Sequence, residues 1–270
     1  MTASTLASAS IWSDDLTHRP KPTGLSQWWT LTARVLKMML FKGELLIAVI
    51  IPLIFTLSFY LPLKFVMSLG GIDYAQYVMP IIVLQSMGFT AMSTAQRSAA
   101  EAMTGLTARI QTMPVAPLAM IGARIVSGFV RSSVALGASI GYGYWIGFRF
   151  NDVAQGALFC AFALGVSIVL SLGADALGTL TKSPAAVSQA ITLPYLILGM
   201  LSSGFTPVDR FPDWIEPFVR NQPITHFAYV LRDLAAGGVT AEVALPALLW
   251  LGALAAILVP LGLWAGTRRE

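Results

Sequence analysis

Residues 45–63 read LLIAVIIPLIFTLSFYLPL, an uncharged run that ends at Lys64. A helix that crosses the hydrocarbon core of a bilayer needs about 20 such residues. The same bias holds for the whole chain of 270 residues, of which 56% are apolar and 11% charged, whereas soluble domains carry about 25% charged residues. Because a spanning helix satisfies its own backbone hydrogen bonds in lipid, this composition predicts an all-α integral membrane protein.

Five further apolar runs are long enough to cross the bilayer, which gives six predicted transmembrane helices in a single domain over residues 44–270. The later five runs cover about Ala75–Ala95, Leu118–Phe148, Val153–Thr179, Ala185–Phe205 and Val243–Ala265.

Two segments precede the first span. Residues 1–24 are polar and lack the pattern of a secretory signal, so we expect a flexible cytosolic tail. Residues 25–43 carry apolar side chains at helical spacing with Arg34 and Lys37 among them. This pattern favours an amphipathic helix that lies along the membrane interface, and the alternative is an extension of the first span.

The positions of lysine and arginine predict the orientation. With the N-terminus inside, eleven of these residues fall in inner segments and five in outer segments, and Arg131 lies within a span. The prediction is therefore a multi-pass protein of the plasma membrane with both termini in the cytoplasm, which agrees with an even number of spans.

The sequence lacks the motifs of an ATPase or a metalloenzyme. It contains no G-x-x-x-x-G-K-[ST] and no H-E-x-x-H, and its two histidines lie apart, in the N-terminal tail and an outer connection. We expect no catalytic residue, no bound metal and no cofactor on this chain.

Prolines organise the two longest connections. Residues 105–117, on the predicted cytoplasmic side, read GLTARIQTMPVAP; Pro114 and Pro117 should end a short amphipathic helix and start the third span. Such a helix can transmit a push from a soluble partner, although an ordinary helical loop is equally consistent. On the predicted outer side, four prolines divide residues 204–234 into short pieces, which should lie in the outer interface or re-enter the bilayer.

Several short motifs carry a family resemblance. TMPVAP (112–117), IGFRF (146–150) and PFVRNQPI (217–224) occur in an order and placement similar to the ABC-2 type exporter permeases. More narrowly, the chain resembles their daunorubicin-resistance (DrrB-like) branch, and closest of all the permeases of mycobacterial complex-lipid exporters. The resemblance covers most of the chain beyond the N-terminal tail.

The resemblance implies six spans, an N-terminal amphipathic connecting helix, a cytoplasmic coupling helix that docks into an ATPase subunit, and short re-entrant helices before the last span. It implies two ATP-binding subunits that carry ATP and Mg²⁺, and a second, DrrC-like permease or a self-dimer. The substrate would be a complex envelope lipid, such as a phthiocerol dimycocerosate, or an anthracycline-like drug. The coupling residues would be Gly105, Arg109, Thr112, Met113, Pro114, Val115, Pro117 and Glu44. The re-entrant outer residues would be Pro207, Pro212, Trp214, Pro217, Asn221 and Pro223.

Polar residues inside predicted spans are costly in lipid and therefore suggest function. Arg131 needs a partner or an aqueous cavity, and Asp175 is one possible partner. Glu44 could contact the ATPase, pair with an arginine of the connecting helix, or simply lie at the interface. Gln85 and Gln189 could line a pathway or hydrogen-bond between helices.

Two other functions compete with partner-driven export. An ion-coupled secondary transporter would favour paired half-chain repeats and buried carboxylates, and the sequence offers one deep carboxylate, Asp175, and no evident repeat. A lipid-modifying membrane enzyme would need clustered catalytic side chains at one face.

Overall fold

The computed structural model describes residues 24–68, 73–105, 117–181 and 183–267, and within this part of the chain the regular structure is helical. The α-helices are α1 (Gly24–Phe41), α2 (Glu44–Phe55), α3 (Leu61–Ser68), α4 (Tyr74–Met103), α5 (Pro117–Ile146), α6 (Val153–Thr181), α7 (Pro184–Met200), α8 (Glu216–Asn221), α9 (Pro223–Ala236) and α10 (Ala241–Thr267). A π-helical turn over Thr56–Tyr60 joins α2 to α3, and a 3₁₀ turn covers Val208–Arg210. The predicted all-α membrane fold is confirmed.

Five helical stretches are long and apolar enough to cross a membrane. They are Glu44–Phe65, Tyr74–Met103, Gly122–Ile146, Val153–Thr181 and Ala241–Ala265. The remaining predicted span is α7, which has 17 residues and is about 26 Å long at 1.5 Å per residue. Because the hydrocarbon core is about 30 Å thick, the sixth crossing stays a prediction.

Helix α7 ends five residues before the predicted boundary at Phe205, and distant side chains explain why. The backbone carbonyl of Ser203 accepts hydrogen bonds from the Tyr77 hydroxyl and from Arg232, both at 2.7 Å. The side-chain amide of Gln222 donates to the carbonyl of Leu201. These partners satisfy backbone groups that a longer helix would have bonded internally.

Helix α4 lies at the centre of the bundle and contacts α2, α5, α6, α7 and α9. Its middle carries fully buried apolar side chains such as Val78, Ile82 and Met87. Small residues allow neighbouring helices to approach closely: a Cβ on Gly178 of α6 would lie 2.2 Å from the backbone carbonyl oxygen of Ala95. Close contact at small residues is a common way for helices to pack in lipid.

The irregular first span is fixed by aromatic packing. Pro52 and Pro62 cannot donate backbone hydrogen bonds, and the π-helical turn lies between them. The ring of Phe59 in this turn stacks on Phe205 with centroids 4.0 Å apart, and Phe55 packs against Phe89 of α4 at 5.2 Å. These contacts attach the first span to the core.

The bundle has two chemically different ends. The ion-pair end, as we call it, holds the start of α2 and α5 and the end of α4 and α6, with buried charged side chains between them. The loop end is the opposite one, where α8 and α9 lie. At the loop end the hydroxyl of Tyr60 donates to the carbonyl of Ile146 at 3.1 Å, and Gln76 donates to the carbonyl of Arg149 at 3.0 Å.

Candidate functional site: a buried ion-pair network

Helical spacing brings polar residues onto one face of each of two adjacent helices. On α4 the residues are Ser93, Thr94, Arg97, Ser98 and Glu101, and on α5 they are Arg124, Ser127 and Arg131. Side chains three, four, seven or eight residues apart lie on the same face of an α-helix. The two faces meet at the ion-pair end, where α2 and α6 supply further carboxylates.

The first half of the network is centred on Arg131, whose side chain is 2% exposed. Its Nη1 donates to Glu44 Oε2 at 2.9 Å and to Ser93 Oγ at 3.0 Å, and its Nη2 donates to Thr94. Arg97 lies 3.7 Å from the same Glu44 oxygen. One carboxylate therefore serves two arginines and joins α2 to α4 and α5.

The second half is centred on Arg124. Its Nη1 lies 3.1 Å from Asp175 Oδ2 of α6, and its Nη2 lies 3.1 Å from Glu101 Oε2 of α4. Ser98 also donates to Asp175. This half joins α4, α5 and α6, and here two carboxylates serve one arginine.

Together the two halves contain three arginines and three carboxylates, so the network as a whole is neutral. The six residues are Arg97, Arg124, Arg131, Glu44, Glu101 and Asp175. Charges taken out of water are tolerated only when they are paired and hydrogen-bonded. The arrangement is suited to holding four helices in one register rather than to acid–base chemistry, and no group of three His, Cys, Asp or Glu side chains within the described ranges could hold a metal ion.

The sequence left the partners of Arg131 and Glu44 open. Arg131 pairs with Glu44 and not with Asp175, because Arg124 lies seven residues closer to the ion-pair end and occupies that carboxylate. Glu44 pairs with arginines of α4 and α5 and not with the connecting helix. Arg97 and Glu101 were missed as members of the network, although their spacing of four on α4 could have suggested a shared face.

The predicted coupling segment adjoins the network. Of its named residues, Gly105 has a left-handed φ of 67° just after α4, and Pro117 begins α5. The others, Arg109, Thr112, Met113, Pro114 and Val115, lie outside the described residues. The Glu101–Arg124 ion pair therefore connects the two helices on which this segment is carried.

The two glutamines do not meet. Gln85 of α4 is buried against Gly199 of α7. A Cβ added to Gly199 would lie only 2.2 Å from Gln85 Nε2, so the glycine leaves room for the amide. Gln189 of α7 is exposed on the outside of the chain. Among the described residues the two side chains therefore do not line one common space, and a role of either in a pathway stays a prediction.

The loop end contains a second polar centre, at Arg232 of α9, which the sequence did not single out. Its guanidinium donates to the carbonyls of Tyr77, Ser203 and Gly204 at 3.0, 2.7 and 2.7 Å and lies 3.6 Å from the centroid of the Tyr77 ring. Burial lowers the pKa of Arg232, and burial also raises the pKa of the adjacent Asp233 carboxyl. This centre fixes the chain after α7.

The prolines of the predicted outer connection lie close to the starts of short helices. Pro207 precedes the 3₁₀ turn, Pro217 lies in the first turn of α8, and Pro223 is the first residue of α9. Pro212 and Trp214 lie in the exposed connection between the 3₁₀ turn and α8, and Trp214 is 81% exposed. The side-chain amide of Asn221 donates to the carbonyl of Pro217 at 2.8 Å. Entry of these pieces into the bilayer stays a prediction.

Comparison with known proteins identifies the family. The profile of the ABC-2 family transporter proteins matches residues 70–264. This chain belongs to the ABC-2 transporter family. The ABC-2 match begins just before α4 and ends within α10, so it covers the network residues except Glu44.

Curated relatives of this ABC-2 protein are permeases. It is 38% identical over 250 residues, 86% of each chain, to the doxorubicin resistance ABC transporter permease protein DrrB of Mycobacterium tuberculosis. It is 26% identical to the probable DrrC permease of the same organism, over 82% of this chain and 80% of the relative. It is 27% identical to the daunorubicin resistance permease DrrB1 of Streptomyces coeruleorubidus, over 77% and 75%. The chain is thus a DrrB-like, multi-pass ABC-2 permease.

Proposed function

We propose that this chain is the transmembrane subunit of an ATP-driven exporter in the plasma membrane, with both termini in the cytoplasm. The observation that carries the proposal is the ABC-2 match over residues 70–264, together with the permease names of the relatives. The chain supplies the path. ATP and Mg²⁺ bind to a separate ATP-binding subunit, present in two copies, and a DrrC-like permease or a second copy of this chain completes the membrane part.

The substrate is a large apolar or amphipathic molecule. The printed names of the relatives support an anthracycline-type drug, and the sequence resemblance to complex-lipid exporters adds an envelope lipid such as a phthiocerol dimycocerosate. The two classes share a large apolar surface.

The position of the network supports coupling to the ATPase. Residues 105–117 connect α4 to α5, and the Glu101–Arg124 pair at 3.1 Å lies between those helices on the network side of the connection. A displacement of this segment would act on α4 and α5 together. Through Glu44 and Asp175 it would then act on α2 and α6.

An ion-coupled mechanism has less support. Glu44, Glu101 and Asp175 each lie within 4 Å of an arginine. A carboxylate that carries a coupling ion must release its partner in each cycle, and breaking a buried pair costs about 3–5 kcal/mol.

The test is purification of the chain in mild detergent with candidate ATPase subunits of its host, followed by ATPase measurement and doxorubicin uptake into inside-out vesicles. Arg109→Ala and Met113→Ala should lower ATPase stimulation and uptake, whereas Arg210→Ala in the outer connection should leave both unchanged. Uptake that needs no ATPase subunit and collapses with an ionophore would overturn the proposal in favour of ion coupling.

A further inference from the structure

Helix α1 is joined closely to the start of the first span. It ends at Phe41, and α2 begins at Glu44, the first residue of the first candidate span. Gly43 between them has a left-handed φ of 71°, a conformation that glycine adopts readily. Three residues of chain reach at most about 11 Å, so the end of α1 lies at the membrane surface, at the ion-pair end of the bundle.

One side of α1 packs on the bundle. The helix contacts α2 and α5, and Thr32 and Met39, two turns apart on one side, are 2% and 1% exposed. Trp28 lies against Gly122 of α5, where an added Cβ would be 2.8 Å from the indole Nε1. The protein therefore holds α1 along one side and leaves its other sides uncovered.

The uncovered surface has an apolar strip (Trp29 and Leu40) beside a basic strip (Arg34 and Lys37). Trp29 and Leu40 are both 66% exposed and lie three turns apart on one side. Arg34 and Lys37 are exposed on the adjacent side, together with Phe41, which follows Arg34 by two turns. A helix at a bilayer surface places apolar side chains among the acyl chains and basic ones at the headgroups.

The uncovered surface of α1 carries positive charge without compensation. Residues 24–43 contain Arg34, Lys37 and Lys42 and no Asp or Glu. Among the described residues none of these three side chains forms an ion pair, and the nearest carboxylate in sequence, Glu44, is engaged by arginines of α4 and α5. Basic side chains beside exposed apolar ones match an anionic lipid, whereas an acidic protein surface would leave the apolar strip without a partner.

We propose that α1 binds anionic phospholipids in the leaflet at the ion-pair end of the bundle. The lipid phosphates lie at Arg34, Lys37 and Lys42, and the acyl chains lie against Trp29 and Leu40. Binding needs neither ATP nor a partner chain, so it stands or fails separately from the proposed export.

The test is photolabelling of the purified full chain in phosphatidylcholine nanodiscs. The probes are phosphatidylglycerol and phosphatidylcholine, each with a diazirine in the acyl chain close to the ester, and adducts are mapped by mass spectrometry. Phosphatidylglycerol should label residues 29–42 at least about fivefold more than phosphatidylcholine, the value of one basic residue near an anionic surface. High salt should lower this ratio, because it screens exposed charges. Residues 245–257 of α10, where Leu245 and Ile257 are exposed, are the internal control and should label equally with both probes.

Arg34→Gln with Lys37→Gln should lower the ratio about fivefold or more, whereas Arg34→Lys with Lys37→Arg keeps the charge and should keep the ratio. The matched control is Arg210→Gln with Arg220→Gln at the loop end, which removes the same charge from exposed side chains and should leave the ratio unchanged. Equal labelling of residues 29–42 by the two lipids, or an unchanged ratio in the glutamine variant of α1, would overturn the proposal. Equal labelling together with loss of ATPase-subunit binding in that variant would assign the basic strip to an acidic protein surface instead.

Discussion

Replacing Glu44 by glutamine tests the first half of the network most directly. The change keeps the size of the side chain and removes the charge that lies 2.9 Å from Arg131 and 3.7 Å from Arg97. Both arginines would then lack an anionic partner in a largely buried place.

The expected cost follows from the burial of the pair. Removing one partner of a buried ion pair costs about 3–5 kcal/mol, because the remaining charge is not compensated. Two features place Glu44→Gln near the lower limit, about 3 kcal/mol: Ser93 and Thr94 still accept from Arg131, and the Glu44 side chain is 18% exposed, which admits water.

The assay is equilibrium unfolding by SDS in mixed micelles, followed by circular dichroism. The matched control is Glu216→Gln in α8. It removes the same charge from an i,i+4 pair with Arg220, whose side chain is 65% exposed. Exposed pairs of this type are worth about 0.3–0.5 kcal/mol.

A double variant separates the pair from its surroundings. Adding Arg131→Met to Glu44→Gln removes the more deeply buried of the two uncompensated arginine charges and leaves only Arg97 without an anionic partner. The double variant should therefore be more stable than Glu44→Gln alone. If Glu44→Gln costs no more than Glu216→Gln, or if the second substitution only adds to the loss, the buried pair does not carry the energy assigned to it.

Three further outcomes are expected in the same unfolding assay. Asp175→Asn should lower the free energy of unfolding less than Glu44→Gln does, because Arg124 keeps Glu101 as a second carboxylate. An equal or larger loss would show that Glu101 does not compensate the charge of Arg124. Arg232→Lys should cost about 1.5–3 kcal/mol, since an ammonium cannot reproduce the planar set of bonds to three carbonyls, and no loss would remove its role at the loop end. Gly178→Ala should cost about 1–3 kcal/mol through overpacking against α4, whereas Gly165→Ala on the same helix meets no atom within 4 Å and should be neutral or stabilising; equal effects of the two would refute the close approach.

The spans were predictable because each is a local property of composition. A run such as residues 45–63 has no soluble alternative, and four other spans follow the same rule. The end of α7 was not predictable in this way, because it depends on Tyr77, Gln222 and Arg232, which lie 21 to 126 residues away in sequence.

The ion pairs show a second limit. The sequence indicated that Arg131 needs a partner, but Glu44 lies 87 residues away, and nothing local distinguishes it from Asp175. The pairing is decided by the position of each residue along the axis of its helix. Arg124 and Asp175 reach the same level, and Arg131 lies two turns further along α5, beside the start of α2 and Thr94 of α4.

The hydrogen bonds of α4 differ between its middle and its ends, and this difference bears on how motion passes through the protein. In the middle, Ser86, Thr90 and Thr94 each donate to the carbonyl four residues earlier on the same helix, so these hydroxyls are satisfied largely without neighbours. At the ion-pair end α4 is held by charged pairs, and at the loop end the carbonyl of Tyr77 is held by Arg232. The middle is also bonded to neighbouring helices, since Tyr195 of α7 donates to the carbonyl of Leu84 at 2.6 Å, and separation of either end breaks stronger bonds. A displacement applied at residues 105–117 should therefore move α4 as a unit and reach α9 through the bond between Tyr77 and Arg232.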